Sequence, residues 1–122
     1  MKHINTTLAT IVPVLAETVG ELKADGQDVP TVLEKFSTAA TDALQEYGRS
    51  NPTPKAGQDI PFPVRCRKED VTSFHEALDG VFMDQEKEEY TRMLNRHGVK
   101  ELRRRQGILY SFCFDLKRYY GI

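Results

Sequence analysis

His75-Glu76 is the closest approach this sequence makes to a catalytic signature. The motif H-E-x-x-H sets two imidazoles one helical turn apart to hold zinc beside a carboxylate base. Here the second histidine is missing, because position 79 is Asp79, and His3 and His97 stand at no metal-ligand spacing from His75. Cys113 and His97 contain the atoms of a nucleophile and its base. Cys113, however, lies among Tyr110, Phe112 and Phe114, which are surroundings of an inert, packed thiol. Glu88-Glu89 is one carboxylate pair among many solvated acids, with nothing to set it apart as an acid/base dyad. The nucleophile elbow, the phosphate-binding glycine loop and the dinucleotide fingerprint are all absent. The residues therefore point away from an enzyme, and no metal or cofactor is expected.

Charge is the stronger signal. From Glu69 to Glu89 there are eight acids and one base, a net charge of −7. From Arg92 to Arg118 there are eight bases and two acids, a net charge of +6, although the whole chain carries only −1. Acidic and basic helices packed antiparallel and screening each other would produce such a pattern. So would a basic face offered to phosphate, or an acidic face that imitates it. Residues 95–105 (NRHGVKELRRR) have a turn glycine, Gly98, followed by a basic helix, as in a helix-turn-helix. The second helix of that motif buries positions about six and nine after the glycine. Those are Arg104 and Gly107, which are poor core formers.

These residues need elements to position them. With 122 residues and 39% apolar content, the chain is expected to form a single domain, mainly α, of about five helices. Residues 1–48 read as a helical hairpin. Leu8, Val12, Leu15, Val19 and Leu22 form one stripe, with either Thr10 as N-cap or a long helix kinked at Pro13. A second stripe runs from Val32 or Leu33 through Phe36, Ala40, Leu44 and Tyr47, behind Asp28 and Pro30. Residues 49–68 form a proline-rich extended connector with Pro52, Pro54, Pro61 and Pro63. Its end alternates apolar Ile60, Phe62, Val64 and Cys66 with Pro61, Pro63, Arg65 and Arg67, the pattern of a one-sided ribbon strapped to the helices. Residues 69–122 form a charged helical half. Its helices carry Val71, Phe74 and Leu78, then Asp84 as an N-cap, then Leu102, Leu109, Phe112 and Leu116.

The N-terminal Met1-Lys2-His3 and the apolar run 8–16 superficially suggest a signal peptide, but the front is weakly basic and the helical pattern continues to Leu22. No run approaches a membrane span, so a cytoplasmic location with no membrane partner is expected. The two cysteines, Cys66 and Cys113, suggest no disulfide framework. The expected function is non-catalytic: stoichiometric protein–protein interaction by a regulator, inhibitor or adaptor, of the kind phages and mobile elements encode. The alternative is nucleic-acid binding through the basic C-terminal helix. The candidate interface comprises Arg92, Arg96, Lys100, Arg103, Arg104 and Arg105 with the aromatics Tyr110, Phe114, Tyr119 and Tyr120. The heptad-like stripe from Leu8 to Leu22 is a third candidate, for homo-oligomerisation.

Overall fold

A computed structural model describes residues 4–50 and 60–122. It contains four helices in this order: α1 (Leu8–Ala24), α2 (Thr31–Ser50), α3 (Lys68–Phe82) and α4 (Glu88–Tyr120). The mainly α class is as the spacing predicts. The count differs from five because the two helices expected on either side of Gly98 run on as α4, in which Gly98 alone leaves the helical region (φ 82°, ψ 168°). Only glycine adopts that conformation without strain, so the turn read from the sequence survives as a kink.

Local chemistry explains most of the helix boundaries. Thr7, not Thr10, is the N-cap of α1, and Pro13 lies inside the helix. Pro13 is exposed, so the carbonyl of Ala9, which loses its partner, sits on the solvent side where water can satisfy it. Pro30 starts α2, its carbonyl accepting from the Leu33 and Glu34 amides at 3.0 and 3.4 Å. Asp70 reaches back to the Arg67 amide at 3.0 Å to begin α3. Asp84 does not cap α4. It organises the preceding turn by accepting from the Glu86 amide at 3.2 Å, and α4 begins at Glu88.

Backbone neighbours form a ring in which α1 packs on α2, α2 on α3, α3 on α4, and α4 back on α1. Cross-helix pairs give the directions. Asp79 meets Tyr110 and His75 meets Lys117, while Glu21 meets Arg105 and Asp25 meets Arg96. Both α3 and α1 are therefore antiparallel to α4, in an up-down-up-down order. The ribbon is tied in by backbone bonds. The Leu8 amide donates to the Ile60 carbonyl at 2.8 Å, and the Phe62 amide donates to the Thr6 carbonyl at 2.9 Å. Between them Thr7 and Pro61 form an antiparallel bridge at the position that needs no amide from Pro61, so proline costs nothing there. Pro52 and Pro54, in the earlier part of the connector, lie outside the described residues.

One core fills the ring. Phe36 of α2, Phe62 of the ribbon, Phe74 of α3 and Phe112 of α4 interlock, with Phe112 at 4.8–5.9 Å from the other three rings. The stripe on α1 is part of the same core: Leu8, Ile11, Leu15 and Leu22 are each at most 1% exposed. This corrects two expectations. The stripe runs through Ile11 rather than the half-buried Val12. It is also covered by the chain's own helices, which removes it as a surface for homo-oligomerisation. No helix among the described residues is long and apolar enough to cross a membrane.

Phe112 joins three elements through ring contacts, so its truncation should be among the most costly in the chain. Phe112→Ala is expected to lose about 3–5 kcal/mol in urea denaturation. A loss below about 1 kcal/mol would show that the four rings do not form a common core.

Candidate functional site

Two side-chain clusters stand out, one between α1 and α4 and one between α3 and α4. The first decides what happens to the basic block. Glu17, Glu21 and Asp25 lie four residues apart on α1 and its C-cap, so they share the face turned to α4. Arg105 is only 5% exposed, and its Nη1 donates to Glu21 Oε2 at 3.1 Å. His97 bonds Glu21 Oε1 through Nε2, and Arg96 Nη1 lies 3.1 Å from the same oxygen. Arg96 also donates to both oxygens of Asp25, at 2.7 and 3.3 Å. Arg92 donates to the Asp25 carbonyl at 2.9 Å and to Glu88 at 2.5 Å. Arg104 is held by both oxygens of Glu101, at 2.7 and 2.9 Å.

The electrostatics follow from these contacts. Burial pushes the Glu21 carboxyl up, but bonds from His97 and Arg96 and the charge of Arg105 outweigh it, leaving the group below its ordinary value. Asp25 is lowered chiefly by its Arg96 bonds. Arg104, followed by the smaller charge effect of Arg105, holds Glu101 down at about 2. Arg105 Nε is buried without a hydrogen bond, with Glu101 Oε1 at 3.5 Å.

The candidate interface therefore divides. Arg105 is an internal strut, and Arg92, Arg96 and Arg104 are engaged by carboxylates. Lys100 and Arg103 are exposed with no partner among the described residues. Screening of the basic block by the acidic one, one of the two readings of the charge pattern, holds only for Glu88 on Arg92; the other carboxylates are Glu17, Glu21 and Asp25 of α1 and its C-cap, and Glu101 and Asp115 of α4 itself. Sequence reasoning missed Glu17, Glu21 and Asp25, although their spacing of four was a readable sign of a shared face. Tyr120 is also internal in part: half-buried, it donates its hydroxyl to the Cys66 carbonyl and pins the ribbon to the end of α4. Tyr119 packs beside it, edge to face at 5.0 Å.

The second cluster keeps an outward face. Phe114 is 48% exposed, with its ring 5.7 Å from His75 and 6.2 Å from Tyr110. Polar contacts hold the neighbouring rings in place. Lys117 Nζ donates to His75 Nδ1 at 2.6 Å, and the Tyr110 hydroxyl donates to Asp79 Oδ1 at 2.6 Å. A proton-accepting Nδ1 leaves the His75 hydrogen on Nε2, which lies 3.8 Å from Asp79. Burial and the Asp79 contact push the Tyr110 hydroxyl well above its ordinary value, so it stays a donor. The neighbouring Cys113 thiol is fully buried and pushed up to about 11, chiefly by desolvation, so it stays protonated at neutral pH. No group of three or more metal-ligating side chains converges among the described residues. The arrangement is an aromatic platform with an outward face.

The α1–α4 contact has a pH signature. A carboxylate whose folded pKa lies below its unfolded value stabilises the fold above the unfolded pKa. It loses that contribution as pH falls through the folded value. Glu21, Asp25 and Glu101 all shift in that direction, from ordinary values of 4.5, 3.8 and 4.5. Thermal stability should hold near neutrality and fall below about pH 4.5, towards about 2. Glu21→Gln should melt lower at pH 7 and lose less on acidification than wild type. Parallel melting curves for the two proteins between pH 6 and 3 would contradict the assignment.

The sequence matches no family model, and searches of curated proteins and of solved structures found no match.

Proposed function

We propose that this chain is a non-catalytic protein-binding module, acting stoichiometrically as a regulator, inhibitor or adaptor through the α3–α4 face centred on Phe114. The observation that carries this reading is an aromatic ring 48% exposed among neighbours fixed by hydrogen bonds. Exposed aromatics dominate binding energy at protein interfaces, and rings already fixed lose little entropy when a partner arrives. Tyr110 and His75 hold the platform, and Phe114 is its anchor. The cytoplasm is the compartment we assign, where the free thiols of Cys66 and Cys113 stay reduced.

Nucleic-acid binding is the second reading, and its footing is the unpaired pair Lys100 and Arg103. Removing Arg92, Arg96, Arg104 and Arg105 from the available cations leaves few phosphate contacts. A protein with only about two such contacts has a shallow salt dependence and weak duplex affinity.

Capture from a lysate of the source cell with the tagged full chain separates the two readings. Phe114→Asp, at an exposed position, should keep the wild-type circular dichroism spectrum and lose the stoichiometric partner at least tenfold. Lys100→Glu combined with Arg103→Glu should keep it. The opposite result, with a duplex-DNA gel shift abolished by the charge reversal, would replace the protein-binding reading with the nucleic-acid one.

A further inference from the structure

Away from the Phe114 platform, an open groove of about 550 Å³ runs between the N-terminal end of α1 and the middle of α4. That volume lies within the range of small-molecule sites. One wall is Asn5, Thr6, Thr7 and Thr10. The other is α4, where Gly107 and Ser111 keep the floor low, Arg103 and Arg104 stand at one end and Asp115 at the other.

Charge picks out one end. Among the α4 arginines, Arg92, Arg96, Arg104, Arg105 and Arg118 all contact carboxylates. Arg103 has none among the described residues, and it lies in this groove. An unpaired guanidinium beside a groove lined with hydroxyls calls for an anion, and its planar fork suits a phosphate. Hydroxyls line the next stretch. Those of Thr7 and Thr10 share a single bond at 3.0 Å, so each retains capacity for a ligand, as does Ser111. Asp115, which accepts from Thr6 at 2.6 Å and has Arg118 Nη1 at 3.6 Å, closes the far end. From Arg103 to Ser111 the helix rises about 12 Å, close to the length of a nucleoside monophosphate. Among the described residues, the Asp115 end offers no unpaired cation to a second anion, so the ligand carries its charge at one end only. That disfavours a nucleic-acid strand laid along the groove.

We infer that this groove binds a phosphate monoester of nucleotide size, with the phosphate on Arg103 and the sugar and base along the threonine and serine hydroxyls. The site is independent of the protein-binding face.

Isothermal titration of the full chain with adenosine 5′-monophosphate tests the inference, with adenosine, inorganic phosphate and a short single-stranded oligonucleotide as comparisons. The monophosphate should bind with a Kd below about 1 mM, and each comparison at least tenfold more weakly. Arg103→Ala should lose at least tenfold. Gly107→Met should do the same by filling the floor, since a Cβ at Gly107 meets nothing within 4 Å and the helix can accept it. Circular dichroism checks that this variant folds, and Arg103→Ala decides alone if it does not. Phe114→Asp should bind as wild type. Absence of saturable binding, binding unchanged by Arg103→Ala, or any comparison ligand bound as tightly as the monophosphate would overturn the inference.

Discussion

The contact between Glu21 and the buried Arg105, where α1 meets α4, governs how the rest of the surface can be used. An ion pair drawn largely out of water needs further polar partners to offset its desolvation. Here Arg96 and His97 converge on the same carboxylate, and Asp25 and Glu101 take the neighbouring guanidiniums. The contact sets the register of α1 on α4 at the kink, since His97 and Arg105 lie on opposite sides of Gly98 and reach one glutamate. It also changes the outward charge of the molecule. A block that carries +6 along the chain is largely neutralised internally, whereas exposed acids such as Glu69 and Glu86 have no cation partner among the described residues.

Hydrophobic packing makes this arrangement possible. The four phenylalanines draw α2, the ribbon, α3 and α4 onto one centre, and the α1 stripe closes the fourth side. With the ribbon bonded to Thr6 and Leu8, the start of α1 is fixed against α4, where Thr6 reaches Asp115. The same packing leaves the Phe114 side of α4 uncovered, because Phe112 and Leu116 point inward and Phe114 lies between them on another face.

Much of this was legible in the residues. Apolar spacing located each helix, alternation around Pro61 and Pro63 gave a one-sided strap, and Gly98 marked a change of direction. What periodicity could not reveal was the environment of the charged faces. Arg103, Arg104 and Arg105 are adjacent and chemically identical, yet helical rotation of about 100° per residue sends one to solvent, one to a neighbouring glutamate and one into the interior. The Arg104–Glu101 pair is local, but the fate of Arg105 depends on Glu21 of α1, 84 residues earlier in the chain, so no local pattern in the basic block contains it. Tyr120 illustrates the same limit, since its role depends on the Cys66 carbonyl, a backbone atom that side-chain patterns do not report.

A double-mutant cycle on Glu21 and Arg105 tests the central claim most directly. Stabilities of wild type, Glu21→Gln, Arg105→Met and the double variant, from urea denaturation at pH 7, give the coupling between the two side chains. If Arg105 is an internal strut, each single change is costly and the double variant recovers part of the loss, with a coupling above about 1 kcal/mol. Additivity within about 0.5 kcal/mol would mean that Arg105 does not depend on Glu21. The basic block would then be free to face a partner.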